Sequence, residues 1–164
     1  MPKINAISPC LWFDDQAEQA ARFYTSLFPA SRIIQIAHYP NVAREKHGKP
    51  PGSVMFVDFE LAGQRFGALN GGPQFKFSPA LSLQVHCETQ DEIDRYWNLL
   101  SEGGAPEAQA CGWLADRFGL SWQIVPAGLG SLMKGDPGRT ERVMAAVMSM
   151  KKFDLAALRR AAAG

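Results

Sequence analysis

Two rhythms of apolar and polar positions run along this chain, and they recur in the same order twice. The run "INAISPCLWF" (4–13) reads as a strand, and "DDQAEQAARFYTSLF" follows as a helix. In that helix Ala20, Phe23, Tyr24, Leu27 and Phe28 fall at helical spacing behind the acidic pair Asp14 and Asp15, and Pro29 closes it. "SRIIQIAHY" (31–39) is β-branched and strand-like, whereas 40–52 is polar and proline-rich, a long excursion of the kind that often covers a site. "SVMFVDFELAG" and "QRFGALNGG" then predict a hairpin around Gly63.

After "PQFKFSP" the pattern starts again. "ALSLQVHCE" (80–88) predicts a strand, and "TQDEIDRYWNLLSEGG" a helix opened by a Thr89–Glu92 capping box and stopped at Gly103. "PEAQACGW" is a poor strand candidate, and "CGWLADRFGLSWQIVP" (111–126) predicts a hairpin. The tail reads as two helices, the second capped by Asp154. Shifting the chain by 73 positions lays Arg22, Phe23, Tyr24 and Leu27 on Arg95, Tyr96, Trp97 and Leu100. Across a shorter offset Gly63 and Phe66 mirror Gly119 and Trp122. Two matches in the same order argue for a duplicated unit of strand, helix and three strands.

Three stretches carry a resemblance to a known family: "LWFDDQAEQAARFYTSLFPASRI", "GALNGGPQFKFSPALSLQVHCETQDEIDRYW" and "CGWLADRFGLSWQIVP". They resemble the PhnB-like group of the vicinal oxygen chelate superfamily, and the likeness extends to the tail "RVMAAVMSMKKFDLAAL". That superfamily includes glyoxalase I, ring-cleaving dioxygenases and bleomycin-resistance proteins, and the group itself is often labelled a 3-demethylubiquinone-9 3-methyltransferase domain. The resemblance implies an α+β fold of tandem βαβββ modules forming a partial barrel, followed by C-terminal helices. It places one module at about 3–73, a second at about 78–127 and a helical tail at 136–162, all within a single domain. It also implies a ligand in the hollow of the sheet, often with a divalent metal held by residues of the first and last strands of each module.

The hairpin locates the candidate site. "DRFG" suits a type I turn followed by a left-handed Gly119, which sets Trp113 across from Gln123. Period-two alternation then puts Ser121, Gln123 and Val125 on one face, and Leu120, Trp122 and Ile124 on the other. Trp122 mirrors Phe66 and packs on a helix in this reading, so Gln123 faces the hollow. The superfamily's usual metal-binding glutamate stands seven positions after the first Asp of this turn; seven from Asp116 lands on Gln123. The other implied ligand positions fall at or near Ser82, near Pro9 and near Gly67 to Asn70. Neutral donors of this kind are poor holders of a divalent cation, so no metal and no cofactor is expected.

What remains is a polar row. Ser82, Gln84 and His86 alternate against Leu81, Leu83 and Val85 and, with Gln123 and Trp113, fit a pocket for a small, partly polar organic molecule. The plainer reading of Ser82 and Gln84 is the wet face of an antiparallel sheet. By the repeat offset Phe13 matches His86 in the hollow, an aromatic shelf, and Trp12 matches Val85 in the core. His86 is the candidate general base, though with no carboxylate placed to orient it a structural role leads. His38 and His47 border the long loop and read as solvated, and Asp58 and Glu60 as an exposed face. Cys87 and Cys111 read as buried, inert thiols.

Composition narrows the function classes. The 164 residues carry 17 Lys and Arg against 16 Asp and Glu, which gives no basic patch for nucleic acid. No run of about 18 apolar residues is present to span a bilayer, and three widely spaced cysteines form no disulfide framework, so a cytoplasmic protein is expected. The nearest candidate for a methyl-donor turn, "VPAGLGSLMKG", has Met133 where a third small residue belongs, and a lone GxG is weak evidence. Methyl transfer is therefore not the expected activity. The residues favour a metal-free small-molecule binding protein; the alternative is a metal-dependent lyase, isomerase or dioxygenase of the same superfamily, and whether any reaction is catalysed stays open. Two modules with open edges and a tail stripe of Val143, Met144, Val147 and Met148 predict a homodimer with the tail at the interface.

Overall fold

The computed structural model describes residues 7–42, 44–135 and 137–164. The chain divides after Lys76 into two compact units. The first contains β1 (Cys10–Phe13), α1 (Ala17–Leu27), β2 (Arg32–His38), the short α2 (Arg44–His47), β3 (Val54–Leu61) and β4 (Gln64–Asn70). Its four-stranded sheet has the order β1-β4-β3-β2, with β1 and β4 parallel and the other pairs antiparallel. Residues 4–6 of the expected first strand lie outside the described residues; among those described, strand pairing begins at Cys10.

One face of this sheet carries α1. Leu11, Phe13, Val57, Phe59, Phe66 and Ala68 are buried there with Ala20, Tyr24 and Leu27 of the helix. The rings of Phe59 and Phe66 stack at 5.6 Å. The acidic pair Asp14 and Asp15 does not cap α1: Gln16 stands at the cap position and makes no side-chain cap bond. The Ala17 N–H instead donates to Oδ1 of the buried Asn70, at 2.8 Å. Asn70 also donates to the Val54 carbonyl at 3.0 Å, so a residue at the end of β4 ties helix and sheet together.

The second unit contains β5 (Ser82–Cys87), α3 (Gln90–Ser101), a 3-10 turn (Pro106–Ala108), β6 (Trp113–Ala115) and β7 (Ser121–Pro126). The short α4 (Leu129–Leu132), α5 (Pro137–Ser149) and α6 (Leu155–Ala163) complete it. The sheet is three-stranded, β5-β7-β6, with β5 and β7 parallel. Here α3 is opened by the expected capping box: Glu92 N–H donates to Thr89 Oγ1, and the Thr89 N–H to Glu92 Oε2. Asp154 caps α6 through the Ala157 N–H.

The weak candidate "PEAQACGW" does not make a full strand. It forms the 3-10 turn and a single bridge between Ala110 and Trp113, consistent with a segment that has a proline and no β-branched residue. The tail covers the chain leading into β6: the N–H groups of Cys111 and Gly112 both donate to the carbonyls of Met150 and Lys151, at 2.7 Å. Phe153 is buried with its ring against Gly112, where a Cβ would collide with it. Gln90 fixes the same segment, accepting from the Leu155 N–H and donating to the Phe153 carbonyl. The tail stripe divides: Val143 and Val147 are buried, whereas Met144 and Met148 are exposed. No helix among the described residues is long and apolar enough to cross a membrane.

Candidate functional site

The hairpin between β6 and β7 has the expected geometry. Gly119 is left-handed at φ +83°, its N–H donates to the Asp116 carbonyl at 2.9 Å, and Trp113 pairs with Gln123. Asp116 is what closes it. This carboxylate, 2 % exposed, accepts from the Phe118 and Leu120 N–H groups and, at 2.8 Å, from the Trp122 indole. The indole and Ile124 are buried on the face that bears α3. The opposite face therefore takes Ser121, Gln123 and Val125 of β7.

Strand β5 runs beside β7 with Ser82 opposite Ser121, Gln84 opposite Gln123 and His86 opposite Val125. Ser82, Gln84, His86, Trp113 and Gln123 consequently share one face, and Gln84, Gln123 and Trp113 stand side by side across the sheet. Gln123 Nε2 donates to Ser82 Oγ at 2.7 Å, and Gln84 Nε2 donates to Gln123 Oε1 at 3.3 Å. Gln123 and Trp113 are half-buried, and Gln84 and His86 are exposed. His86 makes no hydrogen bond within the described residues and has no carboxylate partner there, so nothing orients it as a base.

Phe13 belongs to the first unit. It is buried, on the side of its sheet that carries α1, because it pairs with Asn70, whose side chain bonds the start of that helix. Trp12 points the other way, donates to the Gly72 carbonyl at 2.8 Å and meets Phe75 edge-on at 5.0 Å. The face assignment of these two residues is thus reversed relative to the repeat argument. The cause is one residue: Asp14, Asp15 and Gln16 connect β1 to α1, whereas Glu88 and Thr89 alone connect β5 to α3. A slip of one position exchanges the two faces of a strand. Anchored on the hairpin glycines, Trp12 corresponds to His86, Phe13 to Cys87 and Gly67 to Gln123.

The remaining candidates resolve individually. Asp58 is held by the Nε and Nη2 groups of Arg65, and that hydrogen bonding and the carboxylate's charge raise the arginine pKa further; Glu60 pairs with Arg32 at 3.0 Å. His47 is half-buried: it stacks on Tyr39 at 4.7 Å and accepts from the Lys49 N–H. Cys87 is buried, and burial, aided by the charge of Glu92, pushes its thiol up to about 11, far from nucleophilic. Cys111, expected to be buried, is half-exposed and lies 3.9 Å from the Met148 sulfur. A separate cleft of about 430 Å³ in the first unit is lined by Asp14, Asp15, Glu18, Lys49 and Asn70, and within it Lys49 Nζ donates to the Asp14 carbonyl.

Comparison with known proteins places this arrangement. A Bacillus cereus protein described as a putative 3-demethylubiquinone-9 3-methyltransferase, PhnB protein, is 37% identical, with a TM-score of 0.64 over 74% of this chain and 98% of its own. A Pseudomonas aeruginosa protein matches in fold at 19% identity and TM-score 0.56, over 73% of this chain and 96% of its own. The fosfomycin resistance protein FosX from Listeria monocytogenes matches at 12% identity and TM-score 0.51, over 81% of this chain and 100% of its own. Comparison with curated proteins gives no match. The chain has the glyoxalase/bleomycin-resistance type of fold. Residues 5–125 match the model of the 3-demethylubiquinone-9 3-methyltransferase family, and the chain belongs to that family.

The resemblance to the vicinal oxygen chelate superfamily implies a divalent metal at these strand positions. Among the described residues no group of three or more His, Cys, Asp or Glu side chains could hold a metal ion. At the strand positions in question stand Ser82 and Gln123, and Gly67 where the first unit corresponds to Gln123. A hydroxyl, a carboxamide and a glycine supply no charge to a divalent cation, and they do not fit it.

Proposed function

We propose that the chain is a small-molecule binding protein of the glyoxalase/bleomycin-resistance class that holds a partly polar organic molecule without a metal. The observation that supports this is the hydrogen-bonded row of Ser82, Gln123 and Gln84 beside Trp113 on the face of the second sheet opposite α3. Amides and a hydroxyl next to an indole supply orientation and a flat apolar contact, the usual division of labour in a binding pocket. Phe13 has no part in it.

Methyl transfer is left out of the reading despite the family's name. The turn after β7 leads into the four-residue α4, and β7 lies between a parallel and an antiparallel neighbour, not in an alternating βα sheet. The reading also takes the chain as a cytoplasmic homodimer with the exposed Met144 and Met148 at the contact. An 18 kDa particle in gel filtration at micromolar concentration contradicts the dimer.

A thermal-shift screen of planar metabolites and divalent cations tests the function, since a ligand at a hundred times its Kd stabilises the native state by about 2.7 kcal/mol. Planar organic compounds raise the melting temperature of the native protein and fail to do so in Gln123→Leu. Stoichiometric zinc, nickel, manganese or iron, with stabilisation by that ion, contradicts the metal-free reading.

A further inference from the structure

Resting on the binding face just proposed, we infer that its ligand is a planar ring carrying both a hydrogen-bond donor and a carbonyl acceptor, of the lactam type, in preference to one carrying acceptors alone. The argument is the direction of the hydrogen bonds. Gln84 donates to Gln123, and Gln123 donates to Ser82, so the row has a sense.

Each end has an unspent group. Ser82 Oγ is engaged as an acceptor, and its single proton is given to no described residue. At the other end Gln84 spends an N–H on Gln123 and leaves its own carbonyl oxygen without a donor. The row thus offers a hydroxyl proton at one end and an amide oxygen at the other. Turning over both carboxamides and the hydroxyl keeps both bonds and merely exchanges the sense. The acceptor then lies at Ser82 and the N–H groups at Gln84.

A covering ligand removes water from both ends, and a polar group left unpaired under it weakens binding by an order of magnitude or more. A ring with acceptors alone satisfies the Ser82 proton and strands the Gln84 oxygen. A lactam satisfies both, and its flat body lies over Trp113, which stands in register with Gln123.

The test compares 2-quinolone, which has the N–H and the carbonyl, with N-methyl-2-quinolone, which has the carbonyl alone, by calorimetric titration. Native protein binds 2-quinolone about tenfold more tightly. In Gln84→Met, a change at an exposed position, the two compounds bind within about threefold of each other, whereas Gln35→Met, an exposed β2 position in the other unit, keeps the native ratio. Equal binding of both compounds by the native protein, lost together in Gln123→Leu, overturns the lactam preference and leaves the binding face standing. Binding of both that survives Gln123→Leu, or no binding of either, overturns the two together.

Discussion

The two units solve the same sheet-and-helix problem with different treatments of the face turned away from α1 or α3. In the first, that face is occupied by its own side chains. The Phe56 ring lies on Gly67 and the Trp12 indole on Gly71, so that a Cβ at either glycine would collide with them. Asp58 and Glu60 on the same strand are neutralised by Arg65 and Arg32. In the second unit the position of Gly67 is taken by Gln123, which joins Ser82 and Gln84 in a row of neutral polar groups. A duplicated architecture can therefore fill one face with its own rings and leave neutral amides and a hydroxyl on the other.

The contrast extends to what holds each unit together. The first has a fourth strand, β2, at its edge; the second replaces it with backbone bonds from the tail at Met150 and Lys151. Removal of residues 137–164 has the largest expected effect. It uncovers the partners of Val143, Phe153 and Leu158 and costs several kcal/mol, at about 2–5 kcal/mol for each large buried side chain lost. Hydrogen exchange should show protection lost in β5–β7 and retained in β1–β4. Uniform loss in both sheets goes against separate dependence on the tail.

Asp116→Ala comes next. It strands the Phe118 and Leu120 N–H groups and the Trp122 indole, and an unpaired buried donor costs about 1–3 kcal/mol, so a loss near 3 kcal/mol in urea unfolding is expected. Arg65→Ala, which breaks an ion pair on the exposed arginine, leaves the urea midpoint close to that of the native protein.

Gly67→Ala against Gln123→Ala sharpens the comparison at corresponding positions. The first forces the Phe56 ring to move and costs about 1–3 kcal/mol. The second, on a half-buried amide of an open face, costs under about 1 kcal/mol while removing ligand binding. Equal costs would mean that the two faces are equally filled.

A further effect is set by pH. The Cys87 thiol is raised to about 11 in the folded chain, so between its ordinary value and that one the unfolded chain loses a proton the folded chain keeps. Stability is unaffected by this group below the ordinary thiol range and falls as pH rises from about 9 toward 11. Cys87→Ala should flatten that decline in chemical denaturation curves taken across the same range.

How much of this was legible in the chain follows from how local each feature is. The 111–126 hairpin was readable to the residue because one left-handed glycine after a type I turn fixes the register, and with it the side on which Gln123 lies. The capping box of α3 was readable for the same reason. The face of Phe13 was not, since it depends on a single extra residue between β1 and α1 that a helix-anchored repeat cannot see. Nor was Asn70, which caps a helix 53 positions away and leaves no local mark. The carbonyls of Met150 and Lys151 stand in for a strand only once the fold brings them there.

The most direct test is an NMR titration that reads both faces at once. Side-chain amide signals of Gln84 and Gln123 and the indole N–H signals of Trp113 and Trp12 are followed as 2-quinolone is added. The account predicts that Gln84, Gln123 and Trp113 shift together while Trp12, bonded to the Gly72 carbonyl, stays in place. A titration that moves Trp12 and leaves Gln123 unshifted contradicts it.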